Sequence, residues 1–221
     1  SHIDLNYYKE KQMKRRIMSF AEKYGYSSFL SFLEEIRVNK ELRDTFIGYL
    51  TINVSEFYRN PSQWQLFEKK VLPIAFAQKR RTEDVRIWSS ACSTGEEPYT
   101  VVMILNKFMP LERIRIMASD IDHDAMEKAR RGVYPERNVR ELPPEFLEKH
   151  FTKQDNGMYV ISEKVRRCVE FRHINLLRDP FPKDQDIILC RNVLIYFTEE
   201  AKEYLFAELS RALAPNGILF I

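Results

Sequence analysis

Over the first fifty residues the apolar positions recur at the helical spacing i, i+3, i+4, i+7. They fall into three groups: Ile17, Phe20, Ala21 and Tyr24; Phe29, Leu30, Phe32, Leu33 and Ile36; and Leu42, Phe46, Ile47 and Leu50. Gly25 reads as the end of the first helix and Ser27-Ser28 as the cap of the second. Asn60-Pro61-Ser62 predicts a turn that restarts a helix through Trp64, Phe67, Val71 and Leu72, which Pro73 should end. The charged run QKRRTED (78–84) reads as an exposed connection.

Past Asp84 the period changes. VRIWSSA (85–91), RIRIMASD (113–120), VEFRHIN (169–175) and DIILCRN (186–192) read as strands. Between them the pattern predicts helices over 98–108, over 123–131 closed by Gly132, and over 199–213 capped by Thr198. Pro215-Asn216-Gly217 should then turn into the final run ILFI (218–221), the start of a fifth strand. Strands alternating with helices imply a mostly parallel sheet covered on both faces. Between 135 and 172 the rhythm breaks. A short helix (144–150) precedes MYVISEKVRRCVEF (158–171), which alternates like a small antiparallel hairpin, so an insertion is expected at about 152–172. The expected organisation is therefore a helical domain over 1–60, a helical linker over 61–84 and an α/β domain over 85–221.

Composition narrows the class without naming it. With 44% hydrophobic and 30% charged residues in 221, the chain reads as an ordinary soluble globular protein. No apolar run approaches the roughly 20 residues needed to cross a membrane, so no membrane insertion is expected. The start shows no signal peptide, and Ser1-His2 reads as a tag remnant. Cys92, Cys168 and Cys190 are odd in number and far apart, which fits reduced, buried thiols and a cytoplasmic protein. The formal charge of +3 is too small to argue for nucleic acid. The four histidines have no metal-ligand spacing.

Ligands of open α/β sheets bind at the C-terminal ends of the strands. Here those ends read Ala91-Cys92-Ser93-Thr94-Gly95-Glu96-Glu97, Ser119-Asp120-Ile121-Asp122, Asn175-Leu176 and Cys190-Arg191-Asn192. The first loop has one glycine, no lysine and two glutamates, so it is neither a phosphate-binding P-loop nor a three-glycine dinucleotide fingerprint. Carboxylates would repel a pyrophosphate but would accept hydrogen bonds from an ammonium. Asp120 follows Gly95 by 25 residues, the kind of separation at which an acid holds ribose hydroxyls. Asp122 is the better helix cap, and Glu96 suits the positive end of a helix dipole. A nucleoside without phosphate but with a positive centre fits this loop; S-adenosylmethionine is such a ligand.

Five stretches in order, NVSEFYRNP (53–61), WSSACSTGEEPYT (88–100), ASDID (118–122), INLL (174–177) and CRNVLIYF (190–197), resemble the bacterial chemotaxis receptor methyltransferases, the CheR family. The resemblance covers nearly the whole chain. It implies a small all-α domain followed by a Rossmann-like class I methyltransferase domain with a small antiparallel β insertion, whose sheet in relatives continues through two further strands. It implies methylation of glutamate side chains on the cytoplasmic helices of chemoreceptors, with S-adenosylhomocysteine as product. Carried over by motif, Asn53, Ser55 and Arg59 fold over the methionine end of the cofactor. Glu97 and Asp120 take its ammonium and ribose. Asn175, Leu176, Arg191 and Asn192 line the adenine and methionine sides, and Arg59 and Tyr196 stand near the transferred methyl. Ser55 stands where many relatives have threonine, which keeps the hydroxyl. A basic helix face in this family meets the acidic methylation region of the receptor; Lys11, Lys14 and Arg15 supply such a face here, although a solvated face is the commoner meaning of such charge. A monomer is expected.

Two other readings stay open at this level. An enzyme of the same fold acting on nucleic acid would flip a base, but Arg191-Asn192-Val193-Leu194 lacks the prolines of the amino-directed DNA enzymes, and Cys190 follows Leu189 rather than proline. A domain that only senses S-adenosylmethionine is the other.

Overall fold

The computed structural model describes residues 4–51 and 55–221. Helices α1 (Glu10–Lys23), α2 (Phe29–Val38) and α3 (Lys40–Leu50) form where the periodicity places them. Gly25, at φ 82, lies just past the cap of α1 at Tyr24. Ser28 Oγ accepts the Ser31 N–H at 3.1 Å, and Asn39 Oδ1 accepts that of Leu42 at 3.0 Å, so each following helix starts on a side-chain cap. The three pack around Phe20, whose ring centroid lies 4.4–5.7 Å from those of Tyr24, Phe32, Phe46 and Tyr49.

Pro73 does not end the linker helix. Helix α4 (Pro61–Leu66) passes through a wider π turn (Phe67–Val71) into α5 (Leu72–Ala77). A proline inside a helix lacks an N–H and crowds the carbonyl four residues back. The π turn before it, with the Leu72 N–H reaching Phe67 O, takes up that crowding.

Strands β1 (Ile87–Ser89) and β2 (Ile116–Asp120) are joined by helix α6 (Glu96–Leu105), and α7 (His123–Arg131) leaves β2. A separate antiparallel sheet follows, built from β3 (Val133–Tyr134), β4 (Phe151–Lys153) and β5 (Tyr159–Ile161) in the order β3-β5-β4. Helices α8 (Glu136–Val139) and α9 (Pro144–His150) lie within it, and α10 (Glu163–Arg166) leads out. The chain then completes the main sheet with β6 (Val169–His173), β7 (Gln185–Leu189), helix α11 (Glu199–Ala212) and β8 (Leu213–Phe220).

The main sheet has the order β6-β2-β1-β7-β8, and every neighbouring pair is parallel. Alternate side chains feed two cores. Ile87, Ile187 and Leu189 pack with α6, while Trp88 and Ile188 pack with Leu205 and Leu209 of α11. The order reverses at β1, and the crevice beyond the ends of β1, β2 and β7 is the switch point where such sheets bind ligands.

Two further expectations are corrected. The insertion is a three-stranded sheet over 133–161 rather than a hairpin over 152–172, because residues 169–173 already belong to the main sheet. The alternation through 158–171 spans two strands separated by a helical turn that Ser162 caps. Pro215-Asn216-Gly217 is a bulge within β8 rather than a turn before it: Gln185 pairs with Leu213, yet Ile187 pairs with Ile218. All three cysteines are free and buried. Among the described residues no helix is long and apolar enough to cross a membrane.

Gly95 sits at φ 93, and a Cβ there would lie 2.7 Å from Ala129 Cβ on α7. Left-handed backbone costs a side-chain-bearing residue roughly 1–2 kcal/mol before any clash. Gly95→Ala should therefore destabilise the chain by about 2 kcal/mol or more, read as a fall of several degrees in melting temperature. An unchanged melting curve would mean that the loop refits at little cost.

Candidate functional site

A pocket opens at the switch point, with an empty volume of about 1230 Å³ including its mouth. Ser55, Arg59, Glu97, Asp120, Asn175, Leu176, Arg191, Asn192 and Tyr196 all line it. The structure thus brings together every site residue expected from the cofactor motifs except Asn53, which lies outside the described residues. Lys11, Lys14 and Arg15 are not in the pocket; they are exposed on α1, where Lys14 pairs with Glu10 at 2.5 Å.

The loop after β1 is shaped by left-handed backbone at Ser93 (φ 47) and Gly95. The Ser93 N–H donates to Asp120 Oδ2 at 2.7 Å, and the Asp122 N–H donates to Asp120 Oδ1 at 3.0 Å. Each carboxylate oxygen keeps a lone pair for a ligand. Burial pushes the Asp120 pKa up, and the two backbone donors oppose that. Asp122 does cap α7, accepting the Ala125 N–H at 3.0 Å.

The two glutamates of the loop separate. Glu96 is fully buried and accepts from Thr94 Oγ1 at 2.7 Å and from Asn138 Nδ2 at 2.6 Å, so it fastens the loop to the insertion instead of facing the pocket. Glu97 faces the pocket, accepting from Ser89 Oγ at 2.8 Å and from Arg191 Nη1 at 3.4 Å. Burial raises the pKa of Glu97 against the pull of Arg191, and burial lowers that of Arg191. Arg191 is 6% exposed and also donates to Gln63 Oε1 and to the backbone oxygen of Arg59.

The helical domain supplies pocket wall that no motif announced: Tyr8, Met13, Leu50 and Thr51. The Lys9 N–H donates to Tyr196 O, and the Thr198 N–H donates to Tyr7 O, both at 2.9 Å, so the segment before α1 is bridged to the loop that carries Tyr196. A periodicity reading marks these side chains as apolar without saying which neighbour they meet.

A five-stranded parallel sheet with this order, an acid at the tip of β2 and a second acid at the start of α6 define a class I methyltransferase domain. The chain belongs to the CheR methyltransferase family: residues 53–221 match the model described as "CheR methyltransferase, SAM binding domain", and residues 1–51 match "CheR methyltransferase, all-alpha domain". It is 40% identical over 220 residues to a chemotaxis protein methyltransferase of Listeria monocytogenes, covering 99% of this chain and 82% of that one. It is 38% identical over 219 residues to that of Listeria innocua, with the same coverage. Against that of Escherichia coli it is 31% identical over 222 residues, covering 96% and 75%. The protein is accordingly a methyltransferase that uses S-adenosylmethionine. The donor set fits that cofactor, since free lone pairs on Glu97 and Asp120 suit an ammonium and a pair of hydroxyls, with apolar wall from Ile174 and Leu176 between strand ends.

Asp120→Asn removes a charged acceptor whose hydrogen bonds contribute roughly 1.5–3 kcal/mol, so affinity for S-adenosylhomocysteine should fall about tenfold to a hundredfold by calorimetry. The substitution also leaves one of the two backbone N–H groups that Asp120 accepts, from Ser93 or from Asp122, facing an amide NH2. The ligand-free variant should therefore lose about 1–3 kcal/mol of stability, read as a lower melting temperature, while remaining folded at the temperature of the binding measurement. A variant that binds normally, or binds poorly only because it has unfolded, would remove Asp120 from the site.

Proposed function

We propose that this chain transfers the methyl group of S-adenosylmethionine to glutamate side chains on the cytoplasmic helices of chemoreceptors, forming γ-glutamyl methyl esters. The observation that carries the reading is the gathering of Arg59 and Tyr196 into one pocket with Glu97 and Asp120; the kinship with chemotaxis methyltransferases supports the substrate. The reading puts the protein in the cytoplasm with the receptor helices, acting on protein rather than nucleic acid.

In this reading Glu97 holds the ammonium of the cofactor and Asp120 its ribose. Asn175 and Leu176 flank the adenine, and Arg191 and Asn192 bound the methionine side. Ser55 and Arg59 close over the methionine end. When bound, S-adenosylmethionine supplies an electrophilic methyl on a sulfonium. A glutamate acceptor is already ionised at neutral pH, with an ordinary pKa near 4.3, so no general base is needed. Arg59 draws the incoming carboxylate by charge, and Tyr196 orients it beside the methyl. Leu50, Ile174 and Phe197 exclude water from a reaction in which charge is neutralised. Alignment then supplies most of the acceleration.

The receptor would meet α1 through Lys11, Lys14 and Arg15. The Lys14–Glu10 pair is exposed on both sides, and such pairs are weak in water, so Lys14 is available to exchange partners.

The test is transfer of labelled methyl from S-adenosylmethionine to receptor-containing membranes. Ester product should release the label as methanol in alkali; label that stays on the protein would sink the glutamate assignment. The double variant Lys14→Glu, Arg15→Glu should methylate receptor at least about tenfold more slowly at low salt, with S-adenosylhomocysteine affinity unchanged. Equal rates for variant and wild type at low and moderate salt would put the receptor elsewhere.

A further inference from the structure

The chain has two tryptophans, and both are buried. Trp88 satisfies its indole N–H by donating to Ser119 Oγ at 2.9 Å. Trp64, on α4, does not: it is 1% exposed, and its Nε1 has no hydrogen-bond partner among the described residues. An indole nitrogen can only donate. A buried donor without an acceptor costs about as much as a lost hydrogen bond, so such groups are rare and point to an acceptor from outside the fold. Phe67 meets the ring edge-to-face at 5.7 Å and the Arg191 guanidinium lies 4.7 Å from its centre, and neither offers an acceptor. Tyr58 stacks on it with centroids 6.2 Å apart. Trp64 also lines the cofactor pocket, and a ligand there can supply what the fold does not.

We propose that Trp64 is a recognition residue for the amino acid end of the cofactor, its indole N–H donating to the α-carboxylate. The proposal deepens the reading of the pocket given above and rests on it. In that reading Glu97 takes the ammonium. The ammonium and carboxylate of an amino acid share one carbon, so the carboxylate lands at the same end, beside Arg191 and the ring beneath it. The charges there favour an anion. Arg191 donates to Gln63, the residue before Trp64, and to the backbone oxygen of Arg59, whose side chain lines the same pocket. Burial and the nearby Arg59 charge both lower the Arg191 pKa against the pull of Glu97. A carboxylate between the two guanidiniums relieves that repulsion, and a hydrogen bond to a charged acceptor is among the stronger kinds. Trp64 then makes the site demand an amino acid and not only a nucleoside.

Calorimetry with two ligands tests this: S-adenosylhomocysteine, and its decarboxylated analogue, which keeps the nucleoside, the sulfur and the amine. Trp64→Phe keeps an aromatic ring beside Tyr58 and Phe67 and removes the N–H. It should weaken S-adenosylhomocysteine about tenfold and leave the analogue unchanged. A second measurement does not depend on the folding of any Trp64 variant. In the nitrogen–proton correlation spectrum of the wild-type chain, the Trp64 indole signal should move downfield on adding S-adenosylhomocysteine and much less on adding the analogue. The Trp88 signal should stay in place with either. If Trp64→Phe weakens both ligands alike or leaves both unchanged, or if the Trp64 signal responds equally to both, the proposal is overturned. The pocket reading survives those results, since both ligands still bind the wild type. If the wild type binds neither ligand, the pocket reading fails and the proposal fails with it.

Discussion

Segments far apart in the chain converge on one buried guanidinium, and the geometry of the pocket depends on it. Arg191, at the end of β7, reaches Glu97 on α6, Gln63 on α4 and the backbone oxygen of Arg59. Its guanidinium lies 4.7 Å from the centre of the Trp64 ring and 5.6 Å from that of Phe220. The ion pair is not where its value lies. At 3.4 Å and largely buried, the attraction between Arg191 and Glu97 does not make up for the lost hydration: burial raises the pKa of Glu97 and lowers that of Arg191 despite the pairing. What the arrangement secures is position. Without the guanidinium, Glu97 would be a buried charge held by Ser89 alone among the bonds described, a loss of the order of 3–5 kcal/mol. The segment carrying Arg59 would lose one of its anchors at the same moment.

The same accounting explains why the pocket is acidic and strained before any ligand arrives. Asp120 and Glu97 both have raised pKa values, each first because of burial. Ser93 and Asn192 hold left-handed backbone on the pocket wall, which costs of order 1–3 kcal/mol each in a residue with a side chain. Carboxylates kept this dry interact more strongly with a cationic ligand than hydrated ones would. Stability given up in the ligand-free state reappears as affinity, and the cores on either side of the sheet are large enough to bear it.

Much of this was legible in the sequence because the relevant forces are local. Apolar strand runs alternating with helical periods mark a parallel sheet, caps at Ser28 and Thr198 mark helix starts, and an acid marks the end of β2. Parallel strands end on the same edge of the sheet, so the strand-end residues expected in the site arrive at one pocket. What was not legible depends on contacts between distant segments. Pro73 reads as a stop because a π turn has no signature in composition. The 158–171 alternation reads as one hairpin because period alone does not say whether two strands share a sheet. Arg191 reads as pocket lining, which it is, but not as the clamp on Glu97 and Gln63. Tyr8, Met13 and Thr51 read as ordinary helical-domain residues, since nothing in their spacing points toward the sheet.

That last omission matters most for how the two parts work together. Met13 faces the pocket from the same helix whose exposed side carries Lys11, Lys14 and Arg15. A 14-residue helix packed on one side moves as a unit. Any partner that shifts α1 therefore shifts a wall of the cofactor pocket, and Tyr8 with it through the short connection to Glu10. Linkage makes the relation symmetric: a partner that tightens cofactor binding by some factor is itself bound tighter by that factor when cofactor is present. Bidentate attachment of the helical domain, at Tyr196–Thr198 on one side and Asp122 on the other, limits the shift to small rotations between fixed points. The helical domain is thus better regarded as part of the pocket wall than as a separate module, and its basic face is carried by the exposed side of a helix whose Met13 lines that pocket.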